Sequence, residues 1–408
     1  KMSNTQKKNV PELRFPGFEG EWEDVEFVSI FQEVSNKTSD LAKYPLFSLT
    51  VEKGITPKTE RYKRDFLVKK SDNFKIVEPR DIVYNPMNVT LGAIDLSKYN
   101  YDIALSGYYH VMKIINSFNP DFISNFLKTE KMIIHYKKIA TGSLMEKQRV
   151  HFSEFKNIIK KFPTNKEQKK IGDFFSKLDR QIELQEQKLE LLQQQKKGYM
   201  QKIFSQELRF KDENGNDYPD WEKKKLGEFA GKVIQKNTDQ KYTETLTNSA
   251  ELGIISQRDF FDKEISNIDN IKNYYVVEEN DFVYNPRIST YAPFGPVNRN
   301  KLGKKGVMSP LYTVFRIQSS DLNFIEFYFK SSKWYRFMAL NGDSGARADR
   351  FSIKDKTFME MPLYIPCMDE QIKIGQFFNN IDKCIKNYQS KISLLKKNKK
   401  SFLQKMFI

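Results

Sequence analysis

At 408 residues the chain exceeds what one ordinary core accommodates, and length alone predicts two or three domains. A formal charge of +16, with 29% charged and 39% hydrophobic residues, describes a folded protein whose surface is biased positive, which makes nucleic acid the first partner to test. Two cysteines form neither a disulfide framework nor a Cys-His zinc set; a polar start and no apolar run of membrane-spanning length predict a cytoplasmic protein without membrane contact.

In chain order, the first recognisable element is Glu12-Leu13-Arg14-Phe15, ahead of a globular stretch of about residues 10–162. Short β-branched and aromatic runs such as 81–84, punctuated by Gly, Pro and Asn, predict an irregular sheet, with a helix over 122–131. Pro163 and the capping-box pattern Thr164-Asn165-Lys166-Glu167 then start a helix. Steps of four and three residues trace a heptad seam through Ile171, Phe175, Leu178, Ile182, Gln185, Leu189, Leu192, Lys196, Tyr199 and Ile203. From Glu167 to Ser205 such a helix is about 58 Å long.

The chain then repeats itself. Glu207-Leu208-Arg209-Phe210 restates the opening, and Asn73, Val77, Glu78, Asp81, Val83, Tyr84, Asn85 and Pro86 return 200 positions later as Asn273, Val277, Glu278, Asp281, Val283, Tyr284, Asn285 and Pro286. Ser106, Tyr109 and Val111 return 203 positions on as Ser309, Tyr312 and Val314, so short insertions lie between. A second strand-rich run covers 311–317 and a second helix 324–337. Finally Glu167-Gln168-Lys169-Lys170-Ile171-Gly172-Asp173-Phe174-Phe175 is matched by Glu370-Gln371-Ile372-Lys373-Ile374-Gly375-Gln376-Phe377-Phe378.

The second seam is the first shifted by 203: Ile374, Phe378, Ile381, Ile385, Tyr388, Ile392, Leu395, Lys399, Phe402 and Met406. Each seam holds one lysine, Lys196 or Lys399, which either snorkels to water or, if held in, enforces register. One seam cannot bury itself. Its natural mate is the other copy, in a pseudo-twofold arrangement with antiparallel helices. The organisation read from this pattern is α+β: globular domains over 1–163 and 207–366, and helical segments over 164–206 and 367–408.

Catalytic constellations do not emerge. A Walker A loop and a glycine-rich SAM or dinucleotide loop are missing, and His110, His135 and His151 are scattered without HExxH spacing, so no catalytic residue and no metal ligand is assigned. Glu-x-Lys strings such as 154–156 follow from composition. Tyr84-Asn85-Pro86 and Tyr284-Asn285-Pro286 are similar to the Asn-Pro-Pro-aromatic loop of amino-methyltransferases but lack the second proline and the aromatic, and read as a strand entering a turn.

Basic residues cluster where a DNA-facing loop wants them. The candidates are Arg61, Arg64, Lys69, Lys70, Lys147 and Arg149 in the first copy, with Arg258, Arg287, Arg347 and Arg350 in the second. Lysine mainly holds phosphates, whereas arginine also reads guanine edges.

The ordered duplication of Leu-Arg-Phe, Asp-x-Val-Tyr-Asn-Pro and Glu-Gln-x-x-Ile-Gly-x-Phe-Phe, each of the last followed by a heptad helix, resembles the specificity subunit of type I restriction-modification systems. The resemblance implies two target-recognition domains of mixed α/β structure, separated by two long antiparallel coiled-coil helices. Each domain would read one half of an asymmetric bipartite site in double-stranded DNA, and the helices would set the gap. Two modification subunits carrying S-adenosylmethionine and two ATP- and Mg-dependent restriction subunits would be the partners; the chain itself would bind no cofactor and catalyse nothing. The alternatives are a single-chain DNA nuclease or methyltransferase, and a coiled-coil adaptor that never touches DNA.

Overall fold

A computed structural model describes residues 9–58, 73–142, 148–260, 268–343 and 349–408. The chain forms two compact units, Lys1–Gln187 with Gln389–Ile408, and Lys188–Tyr388. Each unit thus contains one globular repeat together with part of both long helices, Asn165–Phe204 and Met368–Lys405.

Both globular parts share a plan. In the first unit a four-stranded antiparallel sheet runs in the order Phe31–Val34, His110–Ile114, Ile82–Tyr84, Ile94–Leu96. A three-stranded sheet (Lys37–Thr38, Phe74–Val77, Ile103–Leu105) and the hairpin Phe47–Thr50/Gly54–Pro57 cover one face around Val77, Val83 and Leu105. The second unit repeats this with Ala230–Lys232, Thr313–Ile317, Phe282–Tyr284 and Val297–Arg299, plus the hairpin Leu246–Ser249/Gly253–Ser256. The irregular sheet read from the sequence is therefore several small sheets.

The predicted helices over 122–131 and 324–337 each prove to be two. Thr129 caps a new helix, its hydroxyl accepting from the Met132 amide at 3.4 Å, so Pro120–Leu127 and Glu130–Ile139 are separate. In the second unit Leu322–Lys330 ends at Ser331 and Tyr335–Asn341 follows. A hydroxyl that captures backbone groups breaks a helix whose apolar pattern continues.

The repeated nine-residue block is the joint between each domain and its helix. Arg14 forks onto Glu167 at 2.8 and 2.7 Å across 153 residues, and Arg209 onto Glu370 at 3.2 and 2.6 Å across 161. Both carboxylates are buried, and the second also accepts from Trp221 Nε1 at 3.1 Å. Glu167, expected to close a capping box on Thr164, thus has both oxygens engaged by Arg14. The adjacent glutamine accepts from the first backbone amide ahead of a domain helix (Asn119 N to Gln168, 3.1 Å; Asp321 N to Gln371, 2.9 Å) and donates to Pro163 or Pro366 at 2.9 Å. Gly172 and Gly375 let that helix start approach: a Cβ there would lie 2.4 Å from Asn119 Oδ1 or 2.6 Å from Asp321 Oδ1.

Within each unit the two long helices run antiparallel. In the first, Phe174 meets Phe402 and Glu186 pairs with Lys396; in the second, Tyr199 meets Phe377. Of the seam, Ile171, Phe175, Leu178, Ile182, Ile374, Phe378 and Ile392 are buried, whereas Leu189, Leu192, Ile381, Ile385 and Leu395 are half-buried. The seam lysines take partners on the facing helix: Lys399 with Asp179, and Lys196 with Asp382, both at 2.5 Å. Each member of one pair lies 203 residues from its counterpart in the other, so the pairing is reciprocal. Burial pulls the Lys399 amine down, opposed by Asp179. A charge so held disfavours any slip of one heptad step.

The ends of the helices complete the cores. Ile203 and Phe204 pack with Trp221, Phe324 and Phe378 in the second unit, and Met406 and Phe407 with Phe122, Phe126 and Phe175 in the first. Truncating Phe407 to alanine removes a ring from a filled core, a loss of about 3–5 kcal/mol. Hydrogen exchange of the F407A chain is expected to accelerate in strands Ile82–Tyr84 and His110–Ile114 and to stay unchanged in Phe282–Tyr284.

One repeated acid is treated differently in the two units. Asp281 is buried and forked by Arg316 at 2.6 and 3.0 Å. Buried Asp81 accepts the Glu78 amide at 2.9 Å, while Lys113 pairs with Glu78, and burial raises the Asp81 carboxyl to about 6. A folded-state value above the unfolded one means the folded chain binds the extra proton, so the contribution of Asp81 to stability falls as pH rises from about 4 through 6. Against wild type, D81N should therefore gain up to about 3 kcal/mol between pH 4 and pH 7, measured by urea unfolding; parallel pH profiles would contradict this.

Candidate nucleic-acid interface

In the first unit the register of the four-stranded sheet brings several loops to one end. His110 pairs with Tyr84, so the turn entering strand His110–Ile114 and the turn leaving strand Ile82–Tyr84 emerge together. The leaving turn is built by its sequence. Asn85 Oδ1 accepts the Met87 amide at 3.0 Å and the Asn85 carbonyl accepts Val89 N at 2.8 Å, an Asx turn that Pro86 tolerates because it has no amide to lose. The Pro86 carbonyl then takes Val150 N at 3.0 Å and so docks the segment that carries exposed Arg149.

The entering turn is equally fixed. The Ser106 carbonyl accepts Tyr109 N at 3.1 Å, Ser106 Oγ accepts Tyr108 N at 3.4 Å, and a Cβ on Gly107 would lie 2.3 Å from the Asn73 carbonyl. Tyr108 at its tip is 87% exposed. The tip of the hairpin Phe47–Thr50/Gly54–Pro57 reaches the same end: Val51 Cγ1 would lie 3.9 Å from a Cβ on Gly92, whose φ of +102° suits glycine. Asp95 tethers that hairpin, accepting Ile55 N at 3.1 Å and pairing with Lys128.

The second unit repeats the construction with other side chains. Thr313 pairs with Tyr284, Asn285 Oδ1 accepts the Arg287 amide at 2.9 Å, and the Pro286 carbonyl takes Phe351 N at 2.8 Å. Arg287 and Arg350 face each other across a short antiparallel bridge, with Arg287 Nε 3.9 Å from Asp349. Here the hairpin tether is amide chemistry: Asn248 Nδ2 donates to the Val283 carbonyl at 2.7 Å, Asn285 Nδ2 to the Asn248 carbonyl at 2.8 Å, and Asn298 Nδ2 to Asn248 Oδ1 at 2.7 Å.

Three of the sequence-predicted cations, Arg149, Arg287 and Arg350, therefore lie at these sheet ends. Arg258 does not. It follows the open end of the second hairpin, near Glu244, whose carboxyl is held down first by the Ser256 hydroxyl and then by Lys304, with Arg258 adding its charge. Arg61, Arg64, Lys69, Lys70, Lys147 and Arg347 lie outside the described residues. Among the described residues no group of three or more His, Cys, Asp or Glu could hold a metal ion, and no helix is long and apolar enough to cross a membrane.

Reading for charge alone missed the apolar tips. Val51, Leu91 and Tyr108 in the first unit, and Leu252, Tyr291 and Leu311 in the second, are exposed at the same sheet ends. The available signal was a large apolar residue inside a turn sequence, Ser106-Gly107-Tyr108 and Ser309-Pro310-Leu311.

A family model described as the type I restriction modification DNA specificity domain matches the chain twice, over residues 20–194 and 218–397. No curated protein sequence matches. Among solved structures, the S subunit of a type I restriction-modification system from M. genitalium aligns over 98% of this chain and 99% of its own at 13% identity, with a TM-score of 0.59. The HsdS subunit from Thermoanaerobacter tengcongensis aligns over 97% of both chains at 15% identity, with a TM-score of 0.47. The first likeness is one of fold.

Removing the buried amide of Asn248 takes one donor from the Val283 carbonyl and one acceptor from Asn298 Nδ2, which keeps its bond to the Ser249 carbonyl at 3.1 Å, a loss of about 1–3 kcal/mol. The N248A chain is expected to unfold at lower urea concentration and to be cut sooner by protease at residues 249–253; an unchanged cleavage pattern would show that the hairpin is held by other means.

Proposed function

The chain belongs to the family of type I restriction-modification DNA specificity proteins, and we propose on that premise that each of its two domains reads one half of a bipartite, asymmetric DNA site. The observation that carries the reading is the duplicated sheet end, which has one framework in both units, basic residues in each, and different side chains at its tips. Arginines at such an end hold phosphates and read guanine edges, and a framework that is constant while its tips vary suits two unlike half-sites.

In this reading the long helices set the unread gap and dock two methyltransferase subunits. The reciprocal pairs of Lys196 with Asp382 and Lys399 with Asp179 support a fixed helix register. The chain performs recognition and catalyses nothing. S-adenosylmethionine acts on the modification subunits, which methylate adenine N6 on a flipped base, and ATP and Mg on two restriction subunits. Its place of action is the cytoplasm.

Methylation mapping in cells bearing the assembled system should yield a split, adenine-modified motif that disappears when this chain is deleted. An unsplit motif, or turnover by the purified chain alone with metal or S-adenosylmethionine, would contradict the reading. Inserting one heptad in each long helix, about 10 Å of helical rise, should lengthen the unread gap while both half-motifs persist. For the complex, R287A and R350A should each lower DNA affinity at the second half-site and reduce the salt slope by about 1 if the arginine holds a phosphate.

A further inference from the structure

The exposed apolar tips have no structural task that accounts for them. Three loops recur in both units, each with an exposed apolar residue. The hairpin tip carries Val51 or Leu252, the loop after the Asn-Pro turn carries Leu91 or Tyr291, and the turn after the repeated serine carries Tyr108 or Leu311. Their exposures run from 48% for Val51 to 87% for Tyr108, and each keeps apolar surface in water at a cost that scales with its area. The loops are equivalent while the exposed residues differ in each: Tyr108 and Leu311 occupy matching positions, whereas Val51 opens the hairpin loop that Leu252 closes in the other unit.

Their mounts are rigid. Ser106 and Ser309 pin the same turn, Tyr109 N to the Ser106 carbonyl at 3.1 Å and Tyr312 N to the Ser309 carbonyl at 3.0 Å. Gly107 is wedged against the Asn73 carbonyl, and Pro310 takes its place in the second copy. The loop carrying Tyr291 is closed by Ser289 and Ala292, whose amides and carbonyls bond each other at 3.0 and 3.1 Å, and it spans three residues more between Pro286 and Gly295 than its counterpart between Pro86 and Gly92. Side chains held out on fixed turns lose little freedom when they meet a ligand.

The surroundings select the ligand. Arg149 flanks the set in the first unit, and Arg287 and Arg350 flank it in the second, where two like charges sit opposite each other at a bridge. Cations around apolar points match a duplex, in which phosphates border a groove holding thymine methyls and base edges. We infer that Val51, Leu91 and Tyr108, and in the other unit Leu252, Tyr291 and Leu311, are the groove-contacting residues that discriminate bases at the two half-sites, with the arginines fixing the backbone around them. This assignment rests on the proposed reading of a bipartite DNA site.

The test uses the full chain assembled with its modification subunits, carrying Y108A, L311A, or the exchange Y108L with L311Y. The methylated motif of each is mapped, and DNA binding is measured across a salt series. Y108A should change or relax base preference only in the half read by the first unit, and L311A only in the other half. Discrimination at the affected positions should fall about tenfold to a hundredfold, while thermal unfolding, complex assembly and the salt slope stay as in wild type.

Unchanged motifs in both variants would overturn the inference. So would a uniform loss of affinity with a reduced salt slope, which marks phosphate contact, or a failure of the complex to assemble, which marks a protein-docking surface. The wild-type map separates the two levels. An unsplit wild-type motif sinks the bipartite reading and this assignment with it, whereas a split motif insensitive to the tips sinks the assignment alone.

Discussion

Two buried carboxylates hold this architecture together. Glu167 and Glu370 stand at the foot of the two long helices, almost without solvent contact, and a carboxylate in that position costs several kcal/mol unless it is paired in good geometry. Arg14 and Arg209 supply the fork, from segments more than 150 residues away in sequence. The neighbouring glutamine and glycine complete the joint, one bonding the start of a domain helix and the other leaving room for it. A helix seated this way is fixed in direction and rotation against its domain. Only then does the seam it presents, with its single lysine, have a defined partner.

Much of this was legible in the sequence because it is periodic or repeated. The two copies, the helix starts near 165 and 368 and the seam positions follow from spacing alone. The meaning of the repeated block was not. Glu167 looked like half of a capping box because its true partner, Arg14, is close only in three dimensions. Lys196 and Lys399 stood as either snorkelling or register-setting residues, since their aspartates sit on the other helix. The break at Thr129 was hidden by an apolar pattern that runs on through it.

The candidate interface was legible in part for a related reason. Arg149, Arg287 and Arg350 could be found because charge is visible in composition and they lie near turn residues. Arg258 looked equivalent by the same measure, yet its hairpin directs it to the opposite end, beside Glu244. The tips escaped notice because a lone tyrosine or leucine in a loop reads as core from sequence; strand register decides that Tyr108 emerges where Asn85 does.

Likeness and difference between the units divide along the same line. The joints, the sheet order and the Asn-Pro turns agree. The hairpin tethers do not: an Asp95–Lys128 ion pair in one unit is an asparagine network around Asn248 in the other. Asp81 and Asp281 hold the same turn, the first without the arginine fork that pairs the second. The scaffold constrains the residues that build it and leaves the residues at its sheet ends free to differ.

The measurement that tests this account most directly is an exchange of residues 207–365 for those of a related protein with a different target, followed by methylation mapping of the assembled system. The account predicts a hybrid motif in which one half and the gap are unchanged and the other half takes the donor's sequence. A change in both halves, or in neither, would contradict it.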